Sequence, residues 1–259
     1  MARDIERCFL LLPGVGSVKQ QRLFSAGVSS WQEFRSEKGL EALVPKVMSF
    51  DKWKRCCKLL DYAEEKLLLG DSSFFAGVLP RDEHWRLYEP FREETIFLDI
   101  ETTGASRYDR INMIGISDGA DVRTMLRGFN MDEELFLSQV KKAKLLVTFN
   151  GASFDIPFLK RSFPKAKHFI ERIPHIDLRH LCARAGLKGG LKNIEREVGI
   201  TRKNRTVERI FGGDPLLLWR TFIASGDDYY LQLLIEYNEE DTLNLRPLLE
   251  HCIRVLREK

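Results

Sequence analysis

Cysteine is scarce and unpatterned: five in 259 residues, at positions 8, 56, 57, 182 and 252, with no Cys-x-x-Cys pair. An odd, scattered set argues against a disulfide framework or a zinc site and points to a reducing cytoplasm. The five histidines add no ligand spacing. No apolar run approaches the ~18 residues that cross a bilayer. The early run Cys8–Leu12 is too short for a signal peptide and leads into a turn signal, so no membrane partner is expected. Charge of one sign is lacking too: Lys plus Arg is 41 and Asp plus Glu is 38, a net +3. That balance excludes a polycation and an acidic tail, but a local patch can still bind nucleic acid. Internal repeats and low-complexity tracts are also missing. What remains is an ordinary globular mix, 44% hydrophobic and 31% charged, sized for one large domain or two small ones.

The chain reads as two unlike parts. Residues 1–70 carry short amphipathic helical segments separated by Pro13–Gly16, Gly27–Ser30 and Gly39–Pro45, with a longer helix over Asp51–Leu69 ended by Gly70. Residues 71–93 lack periodicity and read as a connector, packed on its neighbours through Phe74, Phe75, Trp85, Leu87, Tyr88 and Phe91. Residues 94–259 form the second domain. Strands are expected over Thr95–Glu101, Ile111–Ser117, Val122–Leu126 and Lys144–Phe149, with an extended end at Ile176–Asp177. Helices are expected over Asp132–Ala143, Phe154–Phe163, Leu178–Ala185, Leu191–Val198, Pro215–Ala224 and from Asp227 onward. Pro247 should kink the last of these or start a new helix. The pattern is α/β: a mixed sheet flanked by helices, preceded by a small all-helical domain.

Three acidic stretches carry the chemistry. Asp99 and Glu101 are two apart on a strand, so their side chains share a face. Neighbouring acids repel, and a cation between them removes the repulsion. Asn150-Gly151-Ala152-Ser153-Phe154-Asp155 follows the fourth strand and sets Asp155 at a helix start. Tyr237 and Asp241 lie four apart on a helical face. Each stretch alone has a plainer account: a solvated acidic strand, a charge at a helix N-terminus, the polar side of an amphipathic helix. Together, in this order and on these elements, they form a specific pattern.

That pattern resembles the four-acid 3′→5′ exonucleases of the RNase H-like superfamily, in the form with tyrosine in the third motif (DEDDy). Asp99 and Glu101 match the first motif, Asp155 the second, and Tyr237 and Asp241 the third. Glu236 stands where the histidine form would need its histidine. Family B polymerase proofreading domains and YprB-like predicted exonucleases are the nearest in look. Asn150–Leu159, Gly190–Gly199, Leu234–Leu245 and Trp85-Arg86-Leu87-Tyr88 are similar to the latter. The resemblance covers about residues 71–255, with no polymerase domain, and implies a stand-alone nuclease.

Phosphodiester hydrolysis sets water against an anionic centre. Two divalent ions about 3.5–4 Å apart activate the water and stabilise the leaving 3′ oxygen. An all-oxygen donor set suits Mg²⁺ or Mn²⁺. The resemblance implies that Asp99 bridges both ions, that Glu101 and Asp241 complete the ion holding the attacking water, and that Asp155 serves the second. Tyr237, with an ordinary pKa of about 10, suits orienting the water rather than deprotonating it. Around this set, the backbone amides of Thr102 and Thr103 are candidates to meet the terminal nucleotide. Phe154 could stack on a base or belong to the core. Asn150 could reach sugar or phosphate or only form a turn. Asp177 is a further acid at a strand end. The basic stretch 201–209 could guide a phosphate backbone or be a solvated loop.

In the N-terminal part, Leu12-Pro13-Gly14-Val15-Gly16-Ser17 and the segment after it resemble a helix-hairpin-helix. Gly14 and Gly16 permit a tight turn, Ser17 and Gln20 could form a capping box, and Lys19 and Arg22 lie near amides able to hold a phosphate. The alternative is a hairpin that only packs helices. Ser30 and Glu33 offer a second cap. The expectation is a metal-dependent 3′→5′ exonuclease releasing 5′-mononucleotides, with single-stranded or 3′-end DNA as the first choice of partner and DNA repair as the setting. RNA is the alternative substrate. A non-catalytic nucleic-acid-binding protein on a nuclease-like fold is the rival.

Overall fold

The computed structural model describes residues 2–44, 46–203, 207 and 214–258. They fall into two compact units, Met1–Arg92 with Arg172–Pro174, and Glu93–Glu171 with His175–Lys259. The first unit is helical: α1 (Ser17–Ser25), α2 (Trp31–Arg35), α3 (Glu37–Leu43), α4 (Phe50–Leu68) and α5 (Ser72–Val78), with a 3₁₀ turn over Arg81–Leu87. Phe9, Trp31, Phe34 and Leu60 are fully buried at its centre. The indole N–H groups of Trp31 and Trp53 donate to the carbonyls of Cys8 and Phe34 at 2.8 and 3.0 Å. The expected cap at Ser30 forms. Its Oγ accepts from the Glu33 amide at 3.2 Å, and the Glu33 carboxylate reaches back to Ser29 N at 2.6 Å.

Several local expectations need correction. Gly39 does not separate helices; it lies inside α3, where a Cβ would overlap the Glu33 and Phe34 carbonyls. Close packing, not a turn, demands the glycine. Pro45, at the end of that supposed break, lies outside the described residues. Residues 71–93 pack as expected, with Phe75, Trp85, Leu87, Tyr88 and Phe91 buried, but they are not without regular structure: they hold α5 and the 3₁₀ turn. The Ser17–Gln20 capping box does not form: Gly16 is the N-cap of α1, and the Gln20 side-chain oxygen accepts from Phe9 N at 2.7 Å instead.

The second unit is a five-stranded sheet in the order β3-β2-β1-β4-β5. Its strands are β1 (Thr95–Thr102), β2 (Ile111–Ser117), β3 (Val122–Leu126), β4 (Leu145–Thr148) and β5 (His175–Asp177). The β1–β2 and β2–β3 pairs are antiparallel, and β1–β4 and β4–β5 are parallel. This is the mixed sheet the alternation of elements predicts. The helices of this unit are α6 (Glu133–Lys142), α7 (Asp155–Ser162), α8 (Pro164–Arg172), α9 (Leu178–Ala185), α10 (Leu191–Val198), α11 (Pro215–Ser225) and α12 (Asp228–Glu258). Sequence periodicity missed α8.

Helix α12 packs across β1, β2 and β3 and runs unbroken through Pro247, so no new helix starts there. The bond that Pro247 cannot donate is outweighed by the buried Leu245, Leu248, Leu249 and Cys252 around it. Gly115 on β2, opposite Asp99, lies tight against α12. A Cβ there would overlap Thr242 Oγ1 and Asn238 Oδ1 of α12.

Candidate metal centre

Strand β1 and helix α12 bring together acids distant in sequence. Single carboxylate oxygens of Asp99, Glu101 and Asp241 all lie within 4.8 Å of one another. The β1–β2 register slips between Glu101 and Thr102, ending the regular ladder just past the second acid. Asp155 begins α7 and is 3% exposed. It stands outside that three-oxygen cluster, yet its charge reaches both Asp99 and Glu101.

Burial, and then the charges of Asp241, Glu101 and Asp155, push Asp99 well above the usual carboxylate range. Burial, then Asp241 and Asp155, does the same to Glu101, with Lys192 opposing and the α11 N-cap Asp214 adding repulsion. Asp155 is pushed up to about 7 by burial, against the pull of the backbone amides of Asp155 and Ile100. Asp241 is pushed up to about 6 by burial, with Arg202 opposing. Like charges are thus gathered in a poorly solvated place, where a divalent cation would relieve both burial and repulsion. The residues fit such an ion: every donor is a hard carboxylate oxygen, suited to Mg²⁺ or Mn²⁺.

Tyr237, one turn before Asp241 on α12, is almost fully buried beside Met113, Leu218, Leu233 and Leu234. Burial, then the Asp241, Glu101 and Asp99 charges, raise its phenol above the ordinary value, so it stays a proton donor. Lys192 Nζ lies 4.3 Å from its ring centroid and the Arg202 guanidinium 5.6 Å.

The remaining candidates are engaged locally. Thr103 N donates to the Arg110 carbonyl at 2.9 Å, and Thr102 Oγ1 donates to Gly104 O at 2.6 Å. Asn150 adopts φ +63°, turning the chain after β4. Its amide donates to Asp177 Oδ1 at 2.8 Å, and its side-chain oxygen accepts from Arg179 at 2.9 Å. Phe154 is half-buried, its ring 5.0 Å from that of Phe158. Asp177 also accepts from Ala152 N at 3.0 Å and caps α9 through Arg179 N. It therefore ties down the loop that delivers Asp155.

Sequence reasoning missed three residues. Asn238, wholly buried, donates from Nδ2 to Asp99 Oδ2 at 2.8 Å, while its Oδ1 meets no hydrogen-bond donor among the described residues. The signal was its place three residues before Asp241, on the same helical face. Glu195 is 1% exposed. It sits on the apolar stripe Leu191, Ile194, Val198 of α10, where a carboxylate is out of pattern. Arg202 is not on a solvated loop: it is buried and pairs with Glu195 and Asp241. Most of the rest of the basic stretch, residues 204–206 and 208–209, lies outside the described residues.

A sheet of this order with acids gathered where β1 meets α12 defines an α/β protein with a carboxylate cluster at that junction. The family model described as RNase_H superfamily matches residues 96–253, and the chain belongs to that superfamily. Among solved structures, the chain is similar to the Aedes aegypti Nibbler EXO domain at 12% identity and TM-score 0.45, over 68% of this chain and 86% of that one. It is also similar to Escherichia coli RNase D, an exoribonuclease involved in structured RNA processing, at 19% identity and TM-score 0.37, over 68% of this chain and 48% of that one. No curated protein matches.

Proposed function

We propose that this protein is a metal-dependent 3′→5′ exonuclease of the four-acid, tyrosine-bearing type, with a YprB-like look. It hydrolyses the terminal phosphodiester of single-stranded DNA and releases 5′-mononucleotides. The observation that carries the reading is the convergence of Asp99, Glu101 and Asp241 within 4.8 Å, with Tyr237 one turn from Asp241. Superfamily membership supports the same reading.

Asp99, Glu101, Asp155 and Asp241 would hold two divalent ions, Mg²⁺ or Mn²⁺. Such ions, when bound, supply an activated water and charge stabilisation for the leaving 3′ oxygen. Asn238 holds Asp99 in orientation for the ions it would help to bind, through the bond from its Nδ2 to Asp99 Oδ2. Tyr237 keeps its proton and donates a hydrogen bond that orients the water. Thr102, Thr103, Asn150 and Phe154 shape the place of the terminal nucleotide.

In the first unit, we assign the Pro13–Gly16 turn the role of a helix-hairpin-helix grip on the phosphate backbone. Gly14 has φ +69°, the first amides of α1 have no side-chain cap, and Lys19 lies at the turn. Residues 1–70 then form the grip, 71–93 the connector and 94–259 the nuclease domain. The unpatterned cysteines favour the cytoplasm, and the pairing of grip and nuclease favours DNA repair.

The test is a time course on 5′-labelled DNA and RNA oligomers with Mg²⁺, Mn²⁺ or chelator. A ladder descending from the 3′ end, faster on DNA and silent in chelator, is the expected result. A ladder on RNA alone moves the substrate to RNA. Internal cuts make the protein an endonuclease. Binding without hydrolysis makes it a non-catalytic nucleic-acid binder.

A further inference from the structure

Arg202 lies outside the three acidic motifs, in the basic stretch 201–209, yet it pairs with two acids at the carboxylate cluster. Its Nε donates to Glu195 Oε2 at 2.7 Å and its Nη2 to Glu195 Oε1 at 3.0 Å, a two-pronged pairing that fixes the plane of the guanidinium. The same Nη2 reaches Asp241 Oδ1. Glu195 is held in turn by Asn244 Nδ2 at 3.0 Å. Asn244 is three residues beyond Asp241 on α12, so the contacts close a loop: α12 to α10, α10 to Arg202, Arg202 back to α12. Lys203 N adds a bond to Glu240 on the same helix.

We propose that Arg202 is a positioning residue. Held by Glu195 and Asn244, its guanidinium fixes the rotation of the Asp241 carboxylate, so that one oxygen is engaged by arginine and the other is presented to the ion. The inference rests on the proposed metal-dependent reading of the site and adds a residue to it. A merely structural salt bridge would leave the affinity for the ion alone. A counter-charge that only neutralises Asp241 makes a prediction of opposite sign: removing a cation beside a cation site tightens the metal. Loss of positioning loosens it, because partners of metal ligands set ligand geometry and are worth roughly 10–100-fold in metal affinity.

The experiment is calorimetric titration of the full chain with Mn²⁺ at fixed pH, with folding checked by circular dichroism. The variants are Arg202→Gln, Arg202→Lys and the charge-neutral Asn244→Ala. Weaker binding is expected in all three: about tenfold or more for both arginine variants, since lysine keeps the charge but not the fork, and less for Asn244→Ala. Affinity that is unchanged or tighter in Arg202→Gln, with Asn244→Ala like the parent, overturns the proposal. If the arginine variants do not fold, Asn244→Ala decides alone. The parent protein and Asp99→Ala separate the two levels. A parent that takes up no Mn²⁺ ends the metal-dependent reading and this inference with it. A parent that binds, an Asp99→Ala that does not, and Arg202 and Asn244 variants that bind like the parent end this inference only.

Discussion

At the Pro13–Gly16 turn, the polar groups find partners close by. Lys19 Nζ donates to the Gly14 carbonyl at 3.0 Å, the Val15 amide to Leu12 O at 3.0 Å, and Gln20 receives the Phe9 amide. At the junction of β1 and α12, three carboxylates face one another, Asp241 buried and Asp99 and Glu101 partly buried, and among the described residues Asn238 bonds Asp99 and Arg202 bonds Asp241. The first arrangement gathers no like charges and leaves only the uncapped amides of α1 to a ligand. The second stays costly until a cation enters. Where a fold leaves like charges buried together, it spends stability on function, so perturbations there should weigh far more than at the turn.

The largest effect is expected from Asp99→Ala. Hydrolysis should fall by about 10³-fold or more, the scale of losing an electrostatic group at a reacting centre, and Mn²⁺ uptake should vanish by calorimetry. In chelator the same variant should melt higher than the parent, because one of the mutually repelling carboxylates is gone. Equal melting temperatures would show that the carboxylate cluster costs no more stability than the turn.

Next comes pH. Asp155 and Asp241 have folded-state pKa values of about 7 and about 6, above their ordinary 3.8. The folded protein therefore holds protons that the unfolded chain has released. This contribution to stability is full below about pH 4 and is lost as pH rises through about 6 to 7. In chelator the melting temperature should drop between about pH 5.5 and pH 8, a window set by those shifts. Saturating Mn²⁺ should shrink the drop by pairing the ionised carboxylates. A flat profile in chelator would show that burial does not strain these acids.

Tyr237→Phe should slow hydrolysis about ten- to hundredfold, the cost of a misplaced reactant, with Mn²⁺ affinity nearly intact by calorimetry. Loss of metal in that variant would remove the water-orienting role. The smallest effect belongs to the turn. Lys19→Ala should lower affinity for a DNA oligomer only a few-fold and reduce the salt slope by about one, as for a single phosphate contact. Fluorescence anisotropy at several salt concentrations measures it. No change in slope leaves the hairpin as a packing element.

The sequence made legible what is encoded by local pattern. Short apolar, β-branched runs bounded by turn residues marked β1 to β4 nearly to the residue, and the acids stood out because they interrupt apolar elements at set spacings. Other features depend on approach in space. Gly39 reads as a break in one dimension and is a close contact in three. Pro247 reads as a helix end, but burial of its neighbours outweighs one missing bond. The Asn238–Asp99 bond spans 139 positions, beyond any periodicity. Arg202 sits in a run of Arg and Lys that resembles surface, and only the buried Glu195 reveals its direction.

Gly115 carries no charge and no side chain, yet the close fit of α12 over β2 depends on it. A methyl group there is a wedge: it forces Asn238 and Thr242 away from the sheet and levers Asp241 out of register with Asp99. Gly115→Ala should therefore give a chain that keeps its helical circular dichroism but takes up no Mn²⁺, inactivated with every acid still in its sequence.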